Sequence, residues 1–262
     1  MSKPIFGLER ATRVVRPVAD SPLVPAVLIT LAAAGWWWSA RMAGHMTGGR
    51  SMGMQMSPIS LSLAAFVAAW VAMMGAMMFP AVLPVVLTYR RAALRHRVAP
   101  TAAFVLGYLI VWSAVGVPSY FAWRELQGPI AADETWAARL AGGVFIVAAA
   151  YQLSPYKSAC LRHCRTPMSF FMRQRHDLRT VNGAARAGTQ HGLLCLGCCW
   201  ALMAVLVALG TMNIAWMVAL AALIFVEKVT PQGELIARLV AMALLAFGLG
   251  FVIHPALLGR LT

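Results

Sequence analysis

Long apolar runs, almost free of charge, recur along this chain, and short basic segments divide them. Inside a hydrocarbon layer every backbone N–H and C=O must find a partner within the protein, which leaves helices or closed barrels. The runs are continuous rather than alternating, so they read as helices. Hydrophobic residues make up 61% of the 262, against about 45–50% in a soluble domain. Charged residues are only 11%. The expected fold is all-α, a polytopic transmembrane helical bundle of about seven spans. Their approximate bounds are 23–40, 59–88, 101–123, 136–156, 192–209, 212–226 and 235–254. A basic tail, 1–21, precedes a single transmembrane domain, 22–262.

Between the spans, Arg41–Pro58 reads as a polar, Gly- and Met-rich loop, and Lys157–Gln190 as the longest and most basic loop. Pro80 and Pro84 are expected to kink or break the second span near its inner end. The formal net charge is +14, which by itself suits nucleic acid, but its distribution argues for a membrane instead. With the N-terminus in the cytoplasm, 17 of the 22 Lys and Arg fall on the inner side. They comprise Lys3, Arg10, Arg13 and Arg16, the arginines of 90–97, those of the 157–190 loop with Lys157, and Lys228 with Arg238. Arg41, Arg50, Arg124, Arg139 and Arg260 lie outside. That asymmetry sets the orientation. It points to a multi-pass protein of a bacterial inner membrane, whose surroundings are the lipid bilayer and not nucleic acid. The first run is long enough to stay as an uncleaved signal anchor.

All five cysteines fall in two short stretches, Cys160–Cys164 and His191–Trp200. On a helix Cys160 and Cys164 share a face, with His163 between them. His191, Cys195, Cys198 and Cys199 follow one another at i, i+4, i+7 and i+8, again on one face. The number is odd and the orientation places them on the reducing side, so this is not a disulfide framework. Soft thiolates with an imidazole suit Cu(I), Zn(II) or an iron centre. The two sets end adjacent spans at one depth, so they can converge on one metal. Small membrane cysteines can also serve as packing residues.

Methionines supply a second soft set. Met42, His45 and Met46 continue the first span at i, i+3 and i+4, and Met52, Met54 and Met56 follow by alternation. Met73 with Met77, and Met74 with Met78, form two stripes in the second span. Thioethers prefer Cu(I) to Zn(II), so they are candidate outer and mid-membrane copper ligands. Flexible apolar packing explains the same positions equally well.

No Gly-rich phosphate loop, nucleophile elbow or His-Glu-x-x-His pattern is present. Ala72–Pro80, Tyr151–Pro167, His191–Met203, Gly210–Met217 and Glu227-Lys228 resemble the bacterial DUF2182 family of integral membrane proteins, over roughly residues 60–230. The resemblance implies a multi-span protein that handles a metal, copper foremost.

Two functions follow. In the first, the chain binds a soft metal, Cu(I) before zinc or iron, through the Cys/His cluster at the cytoplasmic interface. It then moves the metal or hands it to a soluble metal-handling partner or a second copy of itself. In the second, the cluster holds the redox centre of a membrane metalloenzyme, with Tyr151, Gln152, Asn213 and Glu227 as supporting groups. The pattern does not decide whether the chain is an enzyme.

Overall fold

A computed structural model describes residues 22–51, 62–93, 98–132, 135–166, 171, 177–209 and 214–260. Among the described residues there are eight α-helices and no strand. They are α1 (Leu23–Ser51), α2 (Leu63–Ala92), α3 (Val98–Ala131), α4 (Thr135–Gln152), α5 (Pro155–Arg165), α6 (Val181–Leu209), α7 (Ile214–Val229) and α8 (Gly233–Ile253). Short 3-10 turns occupy Asp177–Arg179 and Pro255–Arg260. The chain is therefore an all-α helical bundle.

Five helices are long and apolar enough to cross a membrane: α1, α2, α3, α6 and α8. A sixth candidate arises if α4 and α5, bent by 65° at their junction, count as one broken span. With 16 residues α7 is shorter. At 1.5 Å per residue it covers about 24 Å of a hydrocarbon core roughly 30 Å thick.

The helices depart from the sequence expectation at three places. The helix that opens at Leu23 runs on to Ser51, through the segment read as a loop from Arg41. Arg41 lies 4.8 Å from the centre of the Trp37 ring, a contact one turn apart that favours continuation. Second, α2 passes through both Pro80 and Pro84 without a break. Pro80 frees the carbonyl of Ala76, four residues back, and the Trp36 indole of α1 donates to it at 3.1 Å. Third, the basic segment read as one loop from Lys157 to Gln190 contains α5 and the first turns of α6. Ser154 caps α5 by accepting from the Lys157 N–H at 3.2 Å, and Pro155 occupies its first turn. Serine at the cap followed by proline is a strong helix start.

Small residues let the helices meet backbone to backbone. Phe104 of α3 lies against Gly188 of α6, and Val111 against Gly192, so these two helices run parallel. A Cβ on Gly188 would stand 2.0 Å from the Phe104 carbonyl oxygen, and one on Gly107 would stand 2.3 Å from that of Ala185. Gly35 of α1 meets Ala72 and Ala76 of α2, where the Trp36 indole donates to the Ala76 carbonyl at 3.1 Å. Gly142 of α4 meets Gly248 and Val252 of α8. At one depth the end of α4, the start of α5, the end of α7 and the start of α8 come together against the middle of α6. Gln152, Lys157 and Glu227 touch there, and Gly233 sits on the Glu227 carbonyl.

Gly188 has no room for a larger side chain, whereas Gly143 has nothing within 4 Å of an added Cβ. Gly188→Val should destabilise the bundle by at least about 1–3 kcal/mol, as overpacking does. Gly143→Ala should leave it unchanged or slightly more stable. Thermal unfolding of the two variants in detergent checks the pair; equal midpoints would contradict the close crossing.

Candidate metal centre

Cys195, Cys198 and Cys199 lie in the middle of α6, at most 2% exposed, with sulfurs within 4.8 Å of one another. Helical spacing puts the three on one side, and the Sγ atoms of Cys198 and Cys199 hydrogen-bond the Cys195 carbonyl at 3.1 and 2.9 Å. A fourth thiol comes from another helix. Cys164, near the end of α5 and 7% exposed, has its Sγ 3.9 Å from that of Cys198. All five cysteines are free thiols.

Cys160 is the half-buried member. Its sulfur rests on Gly197, where an added Cβ would stand only 2.7 Å away. Glycine at 197 is therefore what lets α5 settle on α6. The Tyr151 hydroxyl donates to the Gly197 carbonyl, and its ring meets Trp200 edge-on at 4.8 Å. So α4 packs at the same point.

The two histidines are placed differently. His191 is buried, with its ring between those of Phe104 and Tyr108 at 6.2 Å from each. It does not join the group whose ligand atoms lie within 4.8 Å. His163 is exposed, its Nδ1 paired with the Ala159 carbonyl at 2.8 Å. Met73, Met74, Met77 and Met78 are all buried in the core of the bundle, at 0–4% exposure. Met42, His45 and Met46 lie on the last turns of α1, and their side chains fall outside the described residues, as do Met52, Met54 and Met56 entirely.

Charged groups crowd the thiols. The Lys228 ammonium lies 3.0 Å from the Cys195 sulfur, and the Tyr108 hydroxyl lies 3.2 Å from the same atom. On the α5 side the Lys157 ammonium contacts a Glu227 carboxylate oxygen at 2.7 Å, both side chains nearly inaccessible. Gln152 joins them: its oxygen accepts from Lys157 and its amide donates to Glu227 at 3.3 Å. By sequence Lys157 and Lys228 took a place among the inner-side charges and the family-like motifs but no role at the site, and Tyr108 was passed over. A usable signal was present for Lys157. It precedes Cys160 and Cys164 by three and seven residues, so all three share one face of α5.

Chemically, four soft sulfurs within reach of one another suit a cation such as Cu(I), which thiolates favour. A buried ammonium beside them offsets the negative charge that thiolate ligation brings into an apolar site.

Fold and site together define a class: a helical bundle of membrane type with a buried multi-thiol centre for a soft metal. The family model described as PpoB2, copper chaperone, matches residues 67–251, and the chain belongs to that family. The match spans both cysteine segments, and its copper assignment agrees with what the resemblance implied. No curated protein and no solved structure matches the chain.

Cys198 is the sulfur shared between the α6 group and Cys164, whereas His163 points away. Cys198→Ser should weaken Cu(I) binding by no less than the ~10–100-fold that removing a supporting partner costs. His163→Ala should bind like the unaltered protein. Competition against a chromophoric Cu(I) chelator, on protein purified in detergent under reducing conditions, checks both. The reverse ranking would remove the sulfur centre as the metal site.

Proposed function

We propose that the chain is an integral membrane copper chaperone, a single transmembrane domain of a bacterial inner membrane with its N-terminus in the cytoplasm. Cu(I) is its cargo. Cys164, Cys195, Cys198 and Cys199 hold the ion, and Cys160 is the sulfur through which it arrives and leaves. The observation that carries this reading is the meeting of thiols from two helices, Cys164 on α5 and Cys198 on α6, 3.9 Å apart.

Ligand exchange between thiols needs one donor that a soluble partner can reach while the others keep hold. The exposures are graded in that sense. Cys160 is half-buried, Cys164 is 7% exposed, and the α6 sulfurs are at most 2% exposed. A partner's thiol meets Cys160 first, and the ion then passes inward to deeper sulfurs that exclude water. The methionine stripes of α2 are core packing in this account, and the methionines of 42–56 are candidates for an outer copper-collecting segment.

Cys160→Ser tests the route separately from the store. This variant should retain Cu(I) with an affinity within about tenfold of the unaltered protein, since four buried thiols remain. It should release the ion to a soluble thiol peptide or a Cu(I) chelator more slowly in stopped-flow transfer. Transfer at the unaltered rate would take Cys160 out of the route. Purified protein that carries zinc or iron and rejects Cu(I) under reduction would overturn the cargo assignment.

A further inference from the structure

We propose that the buried Lys157–Glu227 pair is a positioning latch that seats the thiols of α5 on those of α6, and so sets how many sulfurs a cuprous ion meets. The proposal rests on the copper reading above and adds to it residues that bind no metal.

The argument begins with where α5 hangs. It follows α4 after a 65° bend at Leu153 and Ser154, so the direction of α4 does not fix it. The Ser154 cap is local and starts the helix without orienting it. Besides the thiol contacts of Cys160 and Cys164 themselves, three described contacts bear on how α5 is held. Leu161 is buried against the core, a contact without directional preference. Arg162 reaches Glu234 at 3.1 Å, but the two side chains are 62% and 44% exposed, where such pairs contribute little. The third is the Lys157–Glu227 bond at 2.7 Å, sealed from solvent and braced by Gln152 on both partners. Of these three it is the one that is directional, short and shielded.

Register makes the latch specific. Lys157, Cys160 and Cys164 lie on one face of α5, so fixing the ammonium fixes the rotation of that helix about its axis. A rotation of one residue, about 100°, would carry Cys164 away from Cys198. On the other side, Glu227 is followed at once by Lys228, whose ammonium touches the Cys195 sulfur. The last turn of α7 thus holds α5 with one residue and faces the α6 thiols with the next. Apart from neutral Gln152, neither charge has a further side-chain hydrogen bond among the described contacts, and removing one leaves the other buried without its counter-charge.

Single substitutions here can unfold the protein, so two double variants carry the test. Lys157→Met with Glu227→Met removes both charges and keeps bulk, an exchange that buried ion pairs often tolerate. Lys157→Glu with Glu227→Lys restores the pair with its ends exchanged. Two quantities are read: maleimide labelling of Cys164 in the metal-free protein, located by mass spectrometry, and Cu(I) affinity by chelator competition. In the Met/Met variant, Cys164 labelling should accelerate and Cu(I) affinity should fall by about 10–100-fold, the range for partners that orient metal ligands. The charge-exchanged variant should return both towards the unaltered values. A folded Met/Met variant with unaltered Cys164 protection and unaltered affinity would overturn the latch. The labelling arm needs no metal, so it tests the latch even if the unaltered protein binds no Cu(I), a result that would defeat the copper reading alone.

Discussion

An ammonium and a carboxylate enclosed by apolar helices must stay together, because neither finds water and each alone costs several kcal/mol to bury. Lys157 and Glu227 are in that position. Their contact ties the short helix after the bend in α4 to the last turn of α7, and Gln152 adds the end of α4 to the same knot. The thiols then fall into place around it. Cys164 faces Cys198 because α5 is held in one rotation, and Cys160 can lie flat on α6 because residue 197 is glycine.

Charge matters as much as softness in such a site. Two thiolates on Cu(I) leave one negative charge, which a low-dielectric interior does not tolerate unbalanced. Lys228, 3.0 Å from the Cys195 sulfur, is placed to supply the balance, and the Tyr108 hydroxyl lies against the same atom. Zinc also accepts thiolates, so sulfur alone does not choose between the two ions. The family match supports copper as the proposed cargo.

Much of this arrangement was legible in the sequence. Continuous apolar runs demanded helices, and each expected span lies at least partly within one. The spacing of Cys195, Cys198 and Cys199 put three sulfurs on one face, as found. The convergence of the Cys160 and Cys195 segments was expected from a position at the ends of adjacent spans, although the α6 thiols lie in the middle of a helix that begins at Val181. The extent of the helices was harder to read. Arg41 and the glycines after it looked like a loop, but a helix already running continues through them to Ser51. His191 shares the cysteine face by spacing, and its ring also stacks between Phe104 and Tyr108, a packing that periodicity alone did not foretell. The latch was the least visible part. Lys157 and Glu227 lie seventy residues apart in sequence; Glu227 and Gln152 stood out only as supporting groups of a redox centre, and Lys157 only as a basic residue of the inner side.

The central claim is that thiols from α5 and α6 together hold a cuprous ion. X-ray absorption at the copper edge, on protein purified in detergent and loaded under reducing conditions, tests it most directly. The account predicts copper in the Cu(I) state with a first shell made of sulfur alone, and loss of that shell when the cysteines are alkylated before loading. Copper that does not bind, or that binds with nitrogen or oxygen neighbours and survives alkylation, would contradict it.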